Sequence, residues 1–279
     1  MIKQLYRFLS PRFQKLYNEY PVEMKPRYGH GVPPHPELYA LVNKEREAYE
    51  ALLKSALDHT SALSTIREAK DENDPKRPGW NNNFLPGLDI VMLYTLIAKR
   101  KPGRYIEVGS GNSTKVAYMA KQDLGLDTKI VSIDPQPRAE IDALADEVIR
   151  MPFEAIDTSF IEQIEENDFL FIDNSHRILP NSDAMVFFLE TLPRLQKGVV
   201  VHIHDIYIPY DYPQFMCDRF YTEQYGLMIY LLSNPDRFKT IAPNYFMSED
   251  KELAKVLEPL WTELPKVEKH GGSYWFEVN

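Results

Sequence analysis

The sequence predicts an α/β fold in which helices cover both faces of an open, mostly parallel sheet of seven strands. Three observations predict it. From residue 104 onward, apolar runs of strand length alternate with helical patterns, and that alternation implies parallel strands joined by right-handed crossovers. The first run, 104–108, ends in two glycines one residue apart, Gly109 and Gly111, and passes directly into a helical pattern. A later run, 169–172, is apolar without a break, as in a strand buried on both faces.

Residues 1–80 stand apart from this pattern. Leu38, Leu41, Val42, Tyr49, Leu52, Leu53 and Ala56 recur at helical spacing and predict an amphipathic helix over 36–60. Pro33, Pro34 and Pro36 lead into it, and a charged, proline-bearing loop at 70–79 follows. The region 1–80 is expected to be a helical appendage that caps a site or makes a subunit contact, possible as a homodimer through its helices, with 81–279 as the main domain. Trp80 and three asparagines, 81–83, then lead into a helix at 87–100. These residues stand close enough to the glycine turn to touch a ligand, although turn chemistry explains the amides equally well. Strands follow at 104–108, 129–133, 147–150, 168–173, 198–204, 238–242 and 273–277. Helices are expected between them at 113–122, 138–145, 157–165, 181–194, 221–232 and 249–262.

Composition narrows the function classes. The 279 residues suffice for one large domain, or a domain with an appendage, and 44% are hydrophobic. A net charge of −9 without a long Lys/Arg block argues against a surface that wraps nucleic acid. One cysteine, Cys217, excludes an intrachain disulfide framework and a multi-cysteine metal site. Residues 1–13 mix Lys3, Arg7 and Arg12 with apolar side chains and lack the continuous apolar core of a signal peptide. An arm packed on its own domain or on a partner is expected there, with no membrane span and a cytoplasmic location.

A strand that feeds a helix through glycines presents free main-chain N–H groups, the usual cradle for a nucleotide-like ligand. Dinucleotide binding would want a third glycine three residues after Gly111, where Thr114 stands instead. Glu107 precedes the first glycine by two residues, and the run Glu107, Val108, Gly109, Ser110, Gly111, Asn112, Ser113, Thr114 resembles the first motif of class I S-adenosylmethionine-dependent methyltransferases. It is similar in particular to a bacterial branch that includes small-molecule and sugar O-methyltransferases. The resemblance spans roughly 80–245 and implies a Rossmann-like domain closed by a final antiparallel strand, which 273–277 is placed to supply.

It also implies roles. The turn from Gly109 through Thr114 would hold S-adenosyl-L-methionine, with Glu107 orienting the loop. Asp134, 25 residues past Gly109 at a strand end, would accept from the ribose hydroxyls. Met151 and Phe153, after the third strand, would face the adenine. Asp173 ends the fourth strand beside the methyl donor, and the segment through His176 resembles the branch's Ile-Asp-Gly-x-His, with Asn174 in place of glycine.

Strand period puts His202 and His204 on one face of the fifth strand, with His204 and Asp205 at its carboxyl end and His202 deeper, as a structural residue. An alcohol acceptor needs its proton removed, and His176 or His204 suits that work, with Asp173 assisting. Trp80, Asp205, Tyr207, Tyr210 and Tyr225 are the candidate acceptor contacts. Asp173 and Asp205 match two positions of metal-dependent relatives, but Ile206 at the third cannot ligate, so no metal is expected. Two other activities fit the same scaffold: an iron-dependent hydroxylase holding metal through the histidines, and a non-catalytic binder of the donor.

Overall fold

The computed structural model describes residues 6, 8–11, 15–137 and 141–279. Seven strands form one sheet: β1 Arg104–Val108, β2 Lys129–Ile133, β3 Glu147–Ile149, β4 Phe169–Ile172, β5 Val200–His204, β6 Phe238–Pro243 and β7 Ser273–Val278. Their order is β3-β2-β1-β4-β5-β7-β6. Strand β7 runs antiparallel to both of its neighbours, and the pairs from β3 across to β5 are parallel. The fold is therefore α/β and Rossmann-like, with the antiparallel closing strand inserted next to β5. Chain direction across the sheet reverses between β1 and β4, and such a reversal opens a crevice at the carboxyl ends of the strands.

The apolar runs explain the depth of the sheet. Phe169, Leu170, Phe171 and Ile172 of β4 are all buried, as are Val200 to Ile203 of β5. His202 lies within this layer, its ring stacked on Phe171 at 3.7 Å and edge-on to Trp275 at 4.6 Å. Burial drives its pKa well below the usual imidazole value, so it is a neutral structural residue.

Helix α3, Gly87–Arg100, is buried from Gly87 to Ile97 and ends at Lys101 in the left-handed conformation. Helix α4, Asn112–Leu124, leaves the glycine turn and stops at Gly125, also left-handed. The expected helix over 36–60 is two helices, α1 Pro36–Asn43 and α2 Arg46–Ala56, continued by short turns. At the break the Tyr49 hydroxyl donates to the Val42 carbonyl at 2.9 Å, and Arg46 forks onto Asp250 at 2.5 and 2.6 Å. Leu38, Val42, Tyr49, Leu52 and Leu53 belong to the same continuous apolar core as the sheet.

Other helices are shorter than their patterns predict. The 249–262 pattern is three pieces, because Asp250 caps one helix and Pro259 opens the next. The 181–194 pattern changes pitch before Pro193, which has no N–H to continue the ladder. Of 157–165 only Thr158–Ile161 is helical, capped by Asp157. Of 138–145, residues 138–140 lie outside the described residues and 141–145 is a turn. The expected arm at 1–13 lies largely outside them too. Helix α5, Glu223–Ser233, follows the tyrosine-rich loop after β5. Among the described residues no helix is long and apolar enough to cross a membrane.

Candidate active site

The glycine turn is locked from beneath. Glu107 is fully buried; Thr114 donates its hydroxyl hydrogen to one carboxylate oxygen, and Tyr105 donates to the other at 3.0 Å. The Thr114 hydroxyl oxygen in turn accepts from the Gly111 N–H at 3.1 Å, so strand end, turn and helix form one unit. Burial raises the Glu107 carboxyl to about 7, although Ser113, Thr114 and Tyr105 bond to it. Glu107 thus orients the loop and lines none of the cavities described below.

Gly109 has φ +83, and a Cβ there would fall 1.9 Å from the Asp173 carbonyl oxygen, so only glycine fits. Gly111 differs: its backbone is extended, and a Cβ would meet nothing within 4 Å. It faces open space, which suits the close approach of a ligand.

Three cavities meet at Asp173. One of about 340 Å³ is bounded by Gly109, Ser110, Asp134, Phe153, Asp173 and Asn174. One of about 530 Å³ is lined by 81–87, 173–177, His204, Asp205, Tyr207, Phe215, Tyr221 and His270, among others. A small one of about 80 Å³ joins Ser110 to Ser113 with Phe84, Asp173 and His204. Ser110, Gly111, Asn112 and Ser113 therefore reach cavity surface, whereas Thr114 is buried beneath the turn.

Asp134 lines the first cavity as expected. Its oxygens accept from the Ser110 N–H at 2.9 Å and the Gln136 N–H at 2.7 Å, which fixes the carboxylate and leaves each oxygen capacity for a further donor. The expectation for the third strand needs correction: Met151 does not line the cavity and is 44% exposed, while Pro152 and Phe153 form the wall. Proline at 152 turns the chain so that the ring of the following residue, rather than the thioether, faces inward.

The second cavity holds the titratable groups. His176 is buried; its Nδ1 is 3.1 Å from Glu223 Oε2, and its Nε2 is 3.4 Å from both Asp173 Oδ1 and Asp205 Oδ2. Burial alone would lower its pKa, but Glu223, Asp205 and Asp173 outweigh that and raise it to about 9. Burial draws the Glu223 carboxyl upward as well, yet three carboxylates face one imidazole, and the proton sits on the histidine.

His204 Nδ1 is 3.5 Å from Asp205 and 3.6 Å from Asp173, and its Nε2 is 3.9 Å from Asp89. Among the described residues neither ring nitrogen has a hydrogen-bond partner, although both are buried. Burial lowers its pKa, and Asp205, Asp173 and Asp89 reverse that, for a net rise. His176 and Asp205 both have positive φ, +60 and +55. His176 is held there because its carbonyl accepts from the Thr222 and Glu223 N–H groups and its N–H donates to Asn174. Strained backbone of this kind persists only where the surroundings over-determine it.

Several predicted acceptor contacts are elsewhere. Trp80 is 1% exposed and sits in the core, as the end of a two-residue parallel strand with Arg67–Glu68. Asn81, Asn82 and Asn83 reach the cavity instead, and Asn82 also holds the turn by accepting from the Phe84 and Leu85 N–H groups. Tyr207 and Asp205 line the cavity; Tyr210 packs beside Gly29 and Tyr245. Tyr225 faces a separate cavity of about 400 Å³, which Tyr221 also borders, and donates to Asp211 at 2.6 Å.

Two carboxylates escaped the sequence reading. Glu223 is the buried partner of His176. Asp89 lies behind His204 and accepts from Asn244, Gly272 and Ser273. An acid in the first turn of a helix apolar all round was the available signal for Asp89. Among the described residues no group of three or more His, Cys, Asp or Glu is arranged to hold a metal ion.

Part of the chain is similar to known proteins. Residues 106–206 match the family model described as a methyltransferase domain. An uncharacterised protein of Archaeoglobus fulgidus is 31% identical over 93 residues, 31% of this chain, and the chain spans 42% of that relative's length. Among solved structures, the plantazolicin methyltransferase BpumL in complex with SAH overlaps 86% of this chain and 99% of its own, at 14% identity and a TM-score of 0.45. The SAH-bound Podospora anserina methyltransferase PaMTH1 overlaps 81% and 88%, at 15% identity and 0.42. The domain match runs from within β1 to just past the end of β5, the segments that bring Gly109, Asp134, Asp173 and His204 to one edge of the sheet. Residues 106–206 are thus similar to a methyltransferase domain, and the sheet that carries them is α/β and Rossmann-like.

Proposed function

We infer that the protein is an S-adenosylmethionine-dependent methyltransferase that acts on a hydroxyl of a small molecule or sugar. The observation that carries the reading is the meeting of a turn-and-carboxylate cavity with a histidine-lined one at a single residue, Asp173.

The residues present fit the donor. The open space at Gly111 would admit the close approach of a ligand to the main chain. Asp134, held by two N–H groups, has lone pairs left for the two hydroxyls of a ribose. Phe153 and Pro152 offer a flat apolar wall for a base. When bound, S-adenosylmethionine supplies a methyl group already activated by a sulfonium, so orientation of the acceptor carries most of the remaining work.

His204 takes the acceptor's proton. It touches both the small and the large cavity, and among the described residues its nitrogens have no hydrogen-bond partner. Asp89 and Asp205 flank it and stabilise the imidazolium that results. His176, protonated near neutrality and fixed by Glu223, holds Asp173 and Asp205 in place and donates rather than accepts. Residues 1–80 serve in this reading as an appendage to 81–279, a cap or homodimer contact, and the reaction takes place in the cytoplasm.

The reading is tested by calorimetry with S-adenosylhomocysteine. Wild-type protein is expected to bind it, and Asp134→Ala to weaken that binding by about 1–3 kcal/mol. Equal affinity in the two proteins removes the ribose assignment, and no binding by either removes the methyl-transfer reading.

A further inference from the structure

Two guanidinium groups line the large cavity, and among the described residues no carboxylate pairs with them. Arg177 gives its donors to main-chain carbonyls, Nε to Arg219 at 3.0 Å and a terminal nitrogen to Ser175 at 3.2 Å. Arg219 is exposed, its guanidinium 4.6 Å from the Tyr221 ring centroid, with that of Arg177 at 5.4 Å. Among the described residues neither forms an ion pair, in a chain whose net charge is −9. The acids deeper in the cavity are already engaged, since Asp173 and Asp205 face His176 and His204.

A guanidinium over an aromatic ring can still direct its in-plane N–H groups at a carboxylate or a phosphate, and among the described residues Nη2 of Arg177 and the fork of Arg219 have no protein acceptor. The other walls are aromatic: Phe84 and Phe215 line the cavity with 53% and 57% of their surface exposed, and Tyr207 stands beside them. A side chain of that size left in water at a cavity mouth suits a planar ligand. Tyr221 also stacks on His176 at 4.6 Å, so the arginines adjoin the catalytic groups.

We propose that the acceptor is a ring-bearing hydroxy compound with an anionic group, carboxylate or phosphate, which Arg177 and Arg219 bind while the hydroxyl reaches His204. The proposal rests on the methyl-transfer reading and narrows its substrate class.

Its test uses protein saturated with S-adenosylhomocysteine and titrated by calorimetry with phenyl phosphate, benzoate and neutral benzyl alcohol. At least one anion is expected to bind ten-fold or more tighter than benzyl alcohol. Arg177→Gln/Arg219→Gln should lose at least ten-fold in affinity for that anion, with S-adenosylhomocysteine binding unchanged. Preference for phenyl phosphate identifies a phosphate-bearing acceptor, and preference for benzoate a carboxylate-bearing one. Arg219→Gln alone, at an exposed position, supplies the same readout with a smaller loss should the double variant fail to fold. Equal anion affinity in wild type and variants, or no anion binding to the loaded wild type, overturns the proposal. If the wild type takes up no S-adenosylhomocysteine, the methyl-transfer reading fails, and the arginine site is judged by the same titrations on the unloaded protein.

Discussion

On the Gly109 side of Asp173 the chain is tied by short local bonds: Thr114 to Glu107, Gly111 to Thr114, Ser110 to Asp134, Asp173 N–H to the Val108 carbonyl at 2.8 Å. All but one of these residues come from a single strand, turn and helix or from the next strand end. On the His204 side the wall is assembled from segments near 84, 174, 205, 218 and 269, and carboxylates and imidazoles replace the main chain as the working groups. The first side is a rigid backbone mould with a fixed shape. The second is a set of charges whose protonation depends on one another. The difference teaches where each kind of substitution should act: backbone changes on the turn, charge changes across Asp173.

The contrast is broken most directly at the two glycines. Gly109→Ala places a methyl group against the Asp173 carbonyl at positive φ, so denaturation should reveal a loss of about 3 kcal/mol or more. Gly111→Ala should leave the denaturation midpoint nearly unchanged and weaken S-adenosylhomocysteine binding, because its Cβ enters open space. Similar stability losses in both would mean that the turn is a packing feature and not a mould for a ligand.

His204→Asn probes the other side. It should lower kcat by about 10²–10⁴-fold while S-adenosylhomocysteine affinity stays within two-fold, since the ring touches no bond of the glycine turn. In the wild type, kcat should rise with pH as the carboxylate-stabilised proton leaves His204. A pH-independent kcat, or a variant that retains full turnover, would leave the base unassigned.

A smaller effect is expected in stability against pH. His176 has a folded pKa of about 9, above its ordinary 6.5, so its contribution is fully present below about 6.5 and is lost as pH rises through about 9. Thermal melting should therefore show Tm falling across that window, and His176→Gln should flatten the fall. A steeper fall in the variant would contradict the sign.

Legibility followed the same division. Strand bounds at 104–108 and 129–133, the seven-strand α/β sheet and the helix at 87–100 were readable because periodicity and glycine punctuation are local signals. The glycine turn after β1 and the strand end at Asp134 were readable as positions in the fold, one from a contiguous motif and the other from its spacing. Helix breaks at 44–45 and 250 were not, because each depends on a partner from a distant segment, Arg46 with Asp250 above all. Glu223 and Asp89 were missed for the same reason: nothing within ten residues of either says that a histidine from a distant segment lies opposite. Tyr225 and Trp80 were misplaced because residue type was read without the direction of the side chain.

Asp173 sits on the boundary between the two sides, within 3.4 and 3.6 Å of His176 and His204. A cation seated next to it competes with the protons of those two imidazoles for the same negative charge. Occupancy on one side must then lower proton affinity on the other, and the coupling is reciprocal. Uptake of the sulfonium form should release a fraction of a proton, whereas the uncharged homocysteine form should release less. Calorimetric heats measured in buffers of different ionisation enthalpy would read that difference, and identical proton release by both ligands would uncouple the two sides. The enzyme would then arm its base by the act of loading its donor.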